Sequence, residues 1–310
     1  MYNASAMENI IKKDRPVLIC KSDISRTSLL KRATDCKNWL QESDFRFSPT
    51  GRFARLFDAI SSGTNDIILP DEKRFPLIRQ SLKDLHELSF IIDAFGSDLY
   101  SNTLRNKFQD ILTGDPLPNI PNKHTQGYDT QAELFVGAIC KRSGMNPIPG
   151  DTGEPDWLIS TPAFRLALEV KRCKTVKGLE NHVRKAAGQI SKSGRGGVIV
   201  LDVTHAFNPK HEQIKVPATE EMIANAHKKH IDHIMSSHLK NINNWIGQRS
   251  IGFVYVHQTI FRPGAKNTSW NMNWTAFNMW CRLDIHKKLN APRGPYDEFA
   301  NLFWAAQPRL

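Results

Sequence analysis

Apolar residues in the first hundred positions recur at helical spacing. The run from Leu29 and Leu30 to Leu40 has it, and so does Phe53 to Ile60. Between Ser81 and Phe95, Leu82, Leu85, Leu88, Ile91 and Ile92 fall three or four apart, which predicts an amphipathic helix. Gly96-Ser97-Asp98 ends it, and Leu104, Phe108, Ile111 and Leu112 predict another helix. Pro70 to Lys73 reads as a loop. The segment Thr113 to Gly127 is rich in proline and glycine and cannot continue a helix. It marks the expected boundary between a helical N-terminal region, residues 1–125, and a second domain, residues 126–310.

Beyond that boundary the period changes. A helix is predicted from about Thr130 to Ser143, followed by a Pro/Gly turn from Asn146 to Gly153. Two strands, Asp156–Ser160 and Phe164–Cys173, are separated by Thr161-Pro162-Ala163 and predict a hairpin. A helix over about Glu180 to Lys192 leads into the wholly apolar strand Gly197–Val203. A long helix over about Thr219 to Ile246, a strand at Ile251–Ile260 and another near Trp270–Phe277 complete the pattern. This mixture predicts an α/β (α+β) class with a central sheet flanked by helices.

Alternation along the second hairpin strand separates two faces. Phe164, Leu166, Leu168 and Val170 share the core face, while Ala167, Glu169 and Lys171 share the other. An acid and a base thus stand two residues apart at the end of an apolar strand, where charge is costly unless paired or bound to a cation. The hairpin brings Asp156 back beside Glu169. Two neighbouring carboxylates repel, and a hard cation such as Mg²⁺, or Mn²⁺ in its place, relieves that repulsion through oxygen ligands. Such an ion polarises a phosphoryl oxygen, and Lys171 can neutralise charge developing on a phosphate. Glu133 lies in the apolar helix after Thr130 and is either a third metal ligand or the closing residue of a capping box, Thr130-Gln131-Ala132-Glu133.

Charge narrows the partner. The chain carries a net +11, with a pI near 9.5, which favours a polyanion. Lys171, Arg172, Lys174, Lys177, Arg184, Lys185, Lys192 and Arg195 face only Glu180 in that stretch. All but Lys171 are candidate phosphate contacts. Five scattered cysteines without a CxxC pair, and no long apolar run, predict a cytoplasmic protein with neither disulfide framework nor membrane span. His227, His230, His233 and His238 are interleaved with charged residues and read as surface histidines rather than a zinc site. Trp270, Trp274 and Trp280 read as core packing.

Glu133, Pro155-Asp156, Glu169-Val170-Lys171, Gln189 and the apolar strand Val198–Val203 together resemble the PD-(D/E)XK nuclease superfamily. The resemblance covers about Thr130 to Thr204. It implies a restriction-endonuclease-like core in the order α-β-β-β-α-β, with the strand not yet placed either short or near Cys173–Val176. It also implies metal binding by Asp156 and Glu169, a catalytic Lys171, an accessory Glu133, and Gln189 near metal or phosphate. The implied activity is Mg²⁺-dependent DNA hydrolysis, DNA favoured over RNA, of the kind used in bacterial or phage-linked restriction and defence. The alternative is a catalytically inactive nucleic-acid-binding protein on the same scaffold. The N-terminal helices would serve self-association or a protein partner.

Overall fold

The computed structural model describes residues 21–22, 26–62, 75–112, 126–208, 214–216, 237–238, 240–247, 251–263, 274–281 and 294–305. The proposed loop at Pro70–Lys73, most of the boundary segment, His227, His230, His233 and Trp270 lie outside these residues.

The helical region consists of α1 (Arg26–Glu42), α2 (Arg52–Ser62), α3 (Phe75–Phe95), a 3-10 turn at Gly96–Tyr100 and α4 (Asn102–Ile111). Next come α5 (Gln126–Arg142), β2 (Asn146–Pro149), β3 (Trp157–Ser160), β4 (Arg165–Arg172), α6 (Leu179–Lys192) and β5 (Gly197–Asp202). The short α7 (Thr204–Phe207), β6 (Ile214–Val216), β7 (Ile251–Pro263), β8 (Trp274–Cys281) and α8 (Gly294–Ala305) follow. A two-residue strand, β1 (Lys21–Ser22), pairs with β8. The sheet runs β1-β8-β7-β5-β4-β3-β2, with β6 added to β7. Hairpin β3–β4 is antiparallel, while β4, β5 and β7 are mutually parallel. The class is therefore mixed α/β, as the sequence pattern predicts.

The pattern missed β2, and also the short β1 and β6. Asn146–Pro149 was expected to be a turn because of Pro147 and Pro149, yet it pairs antiparallel with β3, Pro147 opposite Ile159. It is the last strand of the sheet order, and an edge strand tolerates a residue that lacks an N–H. Residues 176–178 instead form a 3-10 turn. The described order from 126 to 202 is thus α-β-β-β-α-β.

Two cores sandwich the sheet. Leu166, Leu168 and Val170 pack with the helices α1 to α5 and with α8. Ala167, Ile199 and Leu201 pack on the other face with α6 and with Ile242 and Ile246. Covered on both sides, β5 is buried along its whole length. Gly137 lets α5 approach β3: a Cβ there would lie 2.3 Å from the Trp157 ring.

The amphipathic helix predicted near residues 81–95 belongs to α3, and its polar face does not meet water. Gln80, Ser81, Lys83, Asp84, His86 and Glu87 are all buried. Gln80, Lys83, Asp84 and Glu87 enter a charge network with residues far along the chain. Arg52 donates to Asp84 at 2.8 and 2.6 Å. Lys83 donates to Glu87 at 2.6 Å and lies 3.6 Å from Asp202. Arg172 donates to Glu87 at 3.0 Å, to Asp202 at 2.7 Å and to the Tyr128 carbonyl at 2.8 Å. Gln131 bridges Asp84 and Glu87. Arg172 was expected to contact phosphate; it is 6% exposed, and its donors go to two carboxylates and a backbone carbonyl, so it is a buried structural cation. Asp202 also caps the turn into α7 by accepting from Thr204 N.

Burial raises the Glu87 carboxyl, but Arg172 and Lys83 outweigh it and bring it down to about 2. A depressed carboxyl adds stability that is complete above the ordinary glutamate range and is lost as pH falls toward about 2. Replacing Glu87 by Gln leaves Arg172 and Lys83 undercompensated in the interior. Urea denaturation at pH 7 is expected to show a loss of about 3–5 kcal/mol. A loss below about 1 kcal/mol at that pH would contradict the anchoring role.

Candidate active site at the end of the β3–β4 hairpin

Strand register brings the acids together. Trp157 pairs with Leu168, so the next step of the ladder sets Asp156 opposite Glu169. Side chains take over the hydrogen bonding there. Val170 N donates to Asp156 Oδ2 at 2.7 Å, and Asp156 N donates to Glu169 Oε2 at 3.2 Å. Each carboxylate is held by an amide of the opposite strand, which fixes both without freezing every oxygen. On its other side Asp156 is supported by β2, whose extension gives Gly150 N to the Asp156 carbonyl at 3.1 Å. Gly150 is needed for that approach, since a Cβ would lie 2.0 Å from the Pro155 carbonyl oxygen.

Lys171 closes on both acids. Its ammonium bonds Glu169 Oε1 and lies 3.7 Å from Asp156 Oδ2. Glu133 arrives from α5, placed by the Trp157 indole N–H, which donates to the Glu133 carbonyl at 2.9 Å. The Glu133 carboxylate accepts from Lys107 of α4 at 3.2 Å. The capping-box reading of Glu133 is corrected, because α5 begins at Gln126 and Thr130 lies inside the helix. Glu169 is fully buried, whereas the side chains of Asp156, Lys171 and Glu133 keep 12%, 15% and 18% of their surface. The site is recessed but reachable.

Its electrostatics are those of an acid cluster short of positive charge. Burial, then the Asp156 carboxylate, push Glu133 up to about 7, against the pull of Lys107. The same two causes push Glu169 up to about 7, against Lys171. Burial alone would lower Lys171, but Asp156 and Glu169 overcome it and raise its pKa, so it stays an ammonium at neutral pH.

An all-carboxylate donor set suits a hard divalent cation such as Mg²⁺ or Mn²⁺. Among the described residues, no three Asp, Glu, His or Cys side chains stand close enough to hold a metal as they are. Lys171 and Lys107 instead contact Glu169 and Glu133.

The remaining expected residues are spread along the loop and α6. Lys177, Arg184, Lys185, Lys192 and Arg195 are exposed and Lys174 is half-buried. Arg184 pairs with Glu180 at 2.7 Å within the helix. Gln189 is half-buried, and its Oε1 has no hydrogen-bond partner among the described residues. It stands two helical turns from His182, on the same flank. Gln189 is not hydrogen-bonded to Asp156, Glu169 or Lys171. Lys107 is the side chain that the sequence did not reveal: it precedes Glu133 by 26 positions, on a separate helix. No helix among the described residues is long and apolar enough to cross a membrane.

Scans of family models, curated proteins and solved structures return no match for this chain.

The raised carboxyls have a thermodynamic consequence. A carboxyl whose folded pKa exceeds its unfolded one stabilises the fold below the unfolded value and loses that contribution as pH rises through about 7. Without divalent ions, Glu133→Gln should therefore raise stability at pH 8 by about 1–3 kcal/mol, and change it little at pH 4. Thermal melts in EDTA at the two pH values check this; equal shifts at both would refute it.

Proposed function

We propose that this chain is a metal-dependent nuclease that hydrolyses phosphodiester bonds, with DNA the favoured substrate. The reading is carried by the reciprocal clamp of Asp156 and Glu169 across β3 and β4, with Lys171 on the same two acids. The element order α-β-β-β-α-β around that site supports the resemblance to the PD-(D/E)XK superfamily and to its restriction-endonuclease-like core.

Asp156, Glu169 and Glu133 would hold the ion, which supplies Lewis-acid charge to the phosphoryl oxygen when bound. The chain's own groups divide the remaining work. Lys171, kept protonated by its two acids, stabilises negative charge that grows on the phosphate; it is not a proton acceptor. Glu133 is the most solvent-accessible of the three acids, and its carboxylate is held by Lys107 rather than by the hairpin, which makes it the accessory ligand of the set. The exposed cations of α6 offer contacts to neighbouring phosphates, giving salt-dependent affinity.

One observation favours a second reading. Lys171 neutralises both acids within the chain, as it would in a nucleic-acid-binding protein that never turns over. Cleavage of linear and supercoiled DNA separates the two. With Mg²⁺ or Mn²⁺ the wild type should cleave, and EDTA should abolish cleavage. Glu169→Ala and Lys171→Ala should each lower the rate at least about 100-fold while retaining DNA binding. Salt-dependent binding with no cleavage under any divalent ion would select the binding protein instead.

A further inference from the structure

The acid cluster is completed from outside the hairpin. Lys107 projects from α4, and its ammonium lies 3.2 Å from Glu133 Oε2 and 5.9 Å from the centre of the Trp157 ring. Both partners of that ion pair are mostly buried, at 21% and 18% of side-chain surface. Trp157 also bonds the Glu133 backbone, so the indole, Glu133 and Lys107 form one unit beside Asp156. Its charge count is informative. Asp156, Glu169 and Glu133 contribute three negative charges when ionised, against two from Lys171 and Lys107.

We propose that Lys107 is a positioning residue of the site: it orients Glu133 beside Asp156 and acts as an internal counter-cation that competes with a divalent ion for that carboxylate. This rests on the metal-site reading above. Lys107 orders Glu133 through a single, partly buried ion pair and sets how tightly the acids attract an external cation. Repulsion between its unit charge and a nearby divalent ion outweighs the rotamer freedom that Glu133 gains when Lys107 is removed. Lys107→Gln therefore tightens metal binding and, by releasing Glu133 from its orientation, slows the chemical step. A side chain that merely supported the fold would lower both together. In this way the helical region contributes directly to the site.

The test uses the full-length chain. Mn²⁺ binding is titrated by the electron paramagnetic resonance signal of the free ion, and single-turnover DNA cleavage is measured on the same preparations. Lys107→Gln should bind Mn²⁺ about tenfold more tightly and cleave about tenfold more slowly. Lys107→Arg should restore both toward wild type. Circular dichroism melts identify a variant that has lost its fold, in which case Lys107→Met replaces it. Unchanged affinity and rate in Lys107→Gln, or a parallel fall in both with an intact fold, overturns the assignment while the metal site stands. A wild type that takes up no Mn²⁺ overturns the metal-site reading, and this assignment with it.

Discussion

Arg172 fixes the end of β4. Because side chains alternate along a strand, the four residues Glu169 to Arg172 send Glu169 and Lys171 to one side, Val170 and Arg172 to the other. Arg172 is held by Glu87 of α3, Asp202 at the end of β5 and the Tyr128 carbonyl of α5. Three neighbouring elements thus grip the residue next to Lys171. Removing a buried arginine from such partners strands their charges, a cost several times that of losing a surface pair. The position of Glu169 and Lys171 on the opposite face depends on that grip as much as on the β3–β4 ladder.

Two charge clusters meet at this strand end, and the carboxyls that shift in them move in opposite directions. In the first, Arg52, Lys83 and Arg172 face Asp84, Glu87 and Asp202, and the charges balance. There Glu87 and Asp202 both fall below the ordinary carboxylate range: burial works against ionisation, and Arg172 and Lys83 overcome it. In the second, burial and the Asp156 carboxylate prevail over the two lysines, so Glu133 and Glu169 rise. Desolvation is common to both, so the counter-charge decides the direction. A balanced cluster is a structural joint. An unbalanced one, open to solvent on one side, is the arrangement that an incoming cation or substrate can complete.

Much of this was legible in the sequence where a local rule applied. The alternation in Phe164–Cys173 placed Glu169 and Lys171 on one face, and the short link to Asp156 placed the acids opposite each other. Helical periodicity located α1, α2, α4 and α6. What escaped was set by distant contacts. Pro147 and Pro149 signal a turn locally, but at the edge of a sheet their missing N–H groups have no partner to lose, and β2 forms. The run Lys83, Asp84 and Glu87 reads as the solvated side of an amphipathic helix, until Arg52, Arg172 and Asp202 arrive from elsewhere to bury it. Arg172 sits in a basic run, and composition does not tell it from its exposed neighbours. Lys107 reaches the site through the packing of α4 on α5, which no spacing rule anticipates.

These placements explain why the helical region is joined so closely to the sheet. Ionising two carboxyls in a buried pocket costs stability as pH rises, up to about 1.4 kcal/mol for each unit of raised pKa. Such a site persists only when the surrounding structure over-determines it. The same helices that carry Asp84, Glu87 and Gln131 also share a continuous hydrophobic core with Leu168 and Val200 of the central strands. Glu87, its carboxyl held well below the ordinary range, stabilises the fold over the neutral pH range where Glu133 and Glu169 weaken it. Separating the helices from the sheet would strand Arg172 and Asp202 without Glu87 and Lys83, and would withdraw Glu133 from Trp157 and Asp156. The helices and the hairpin are therefore parts of one electrostatic arrangement, in which a neutral joint holds a charged site in position.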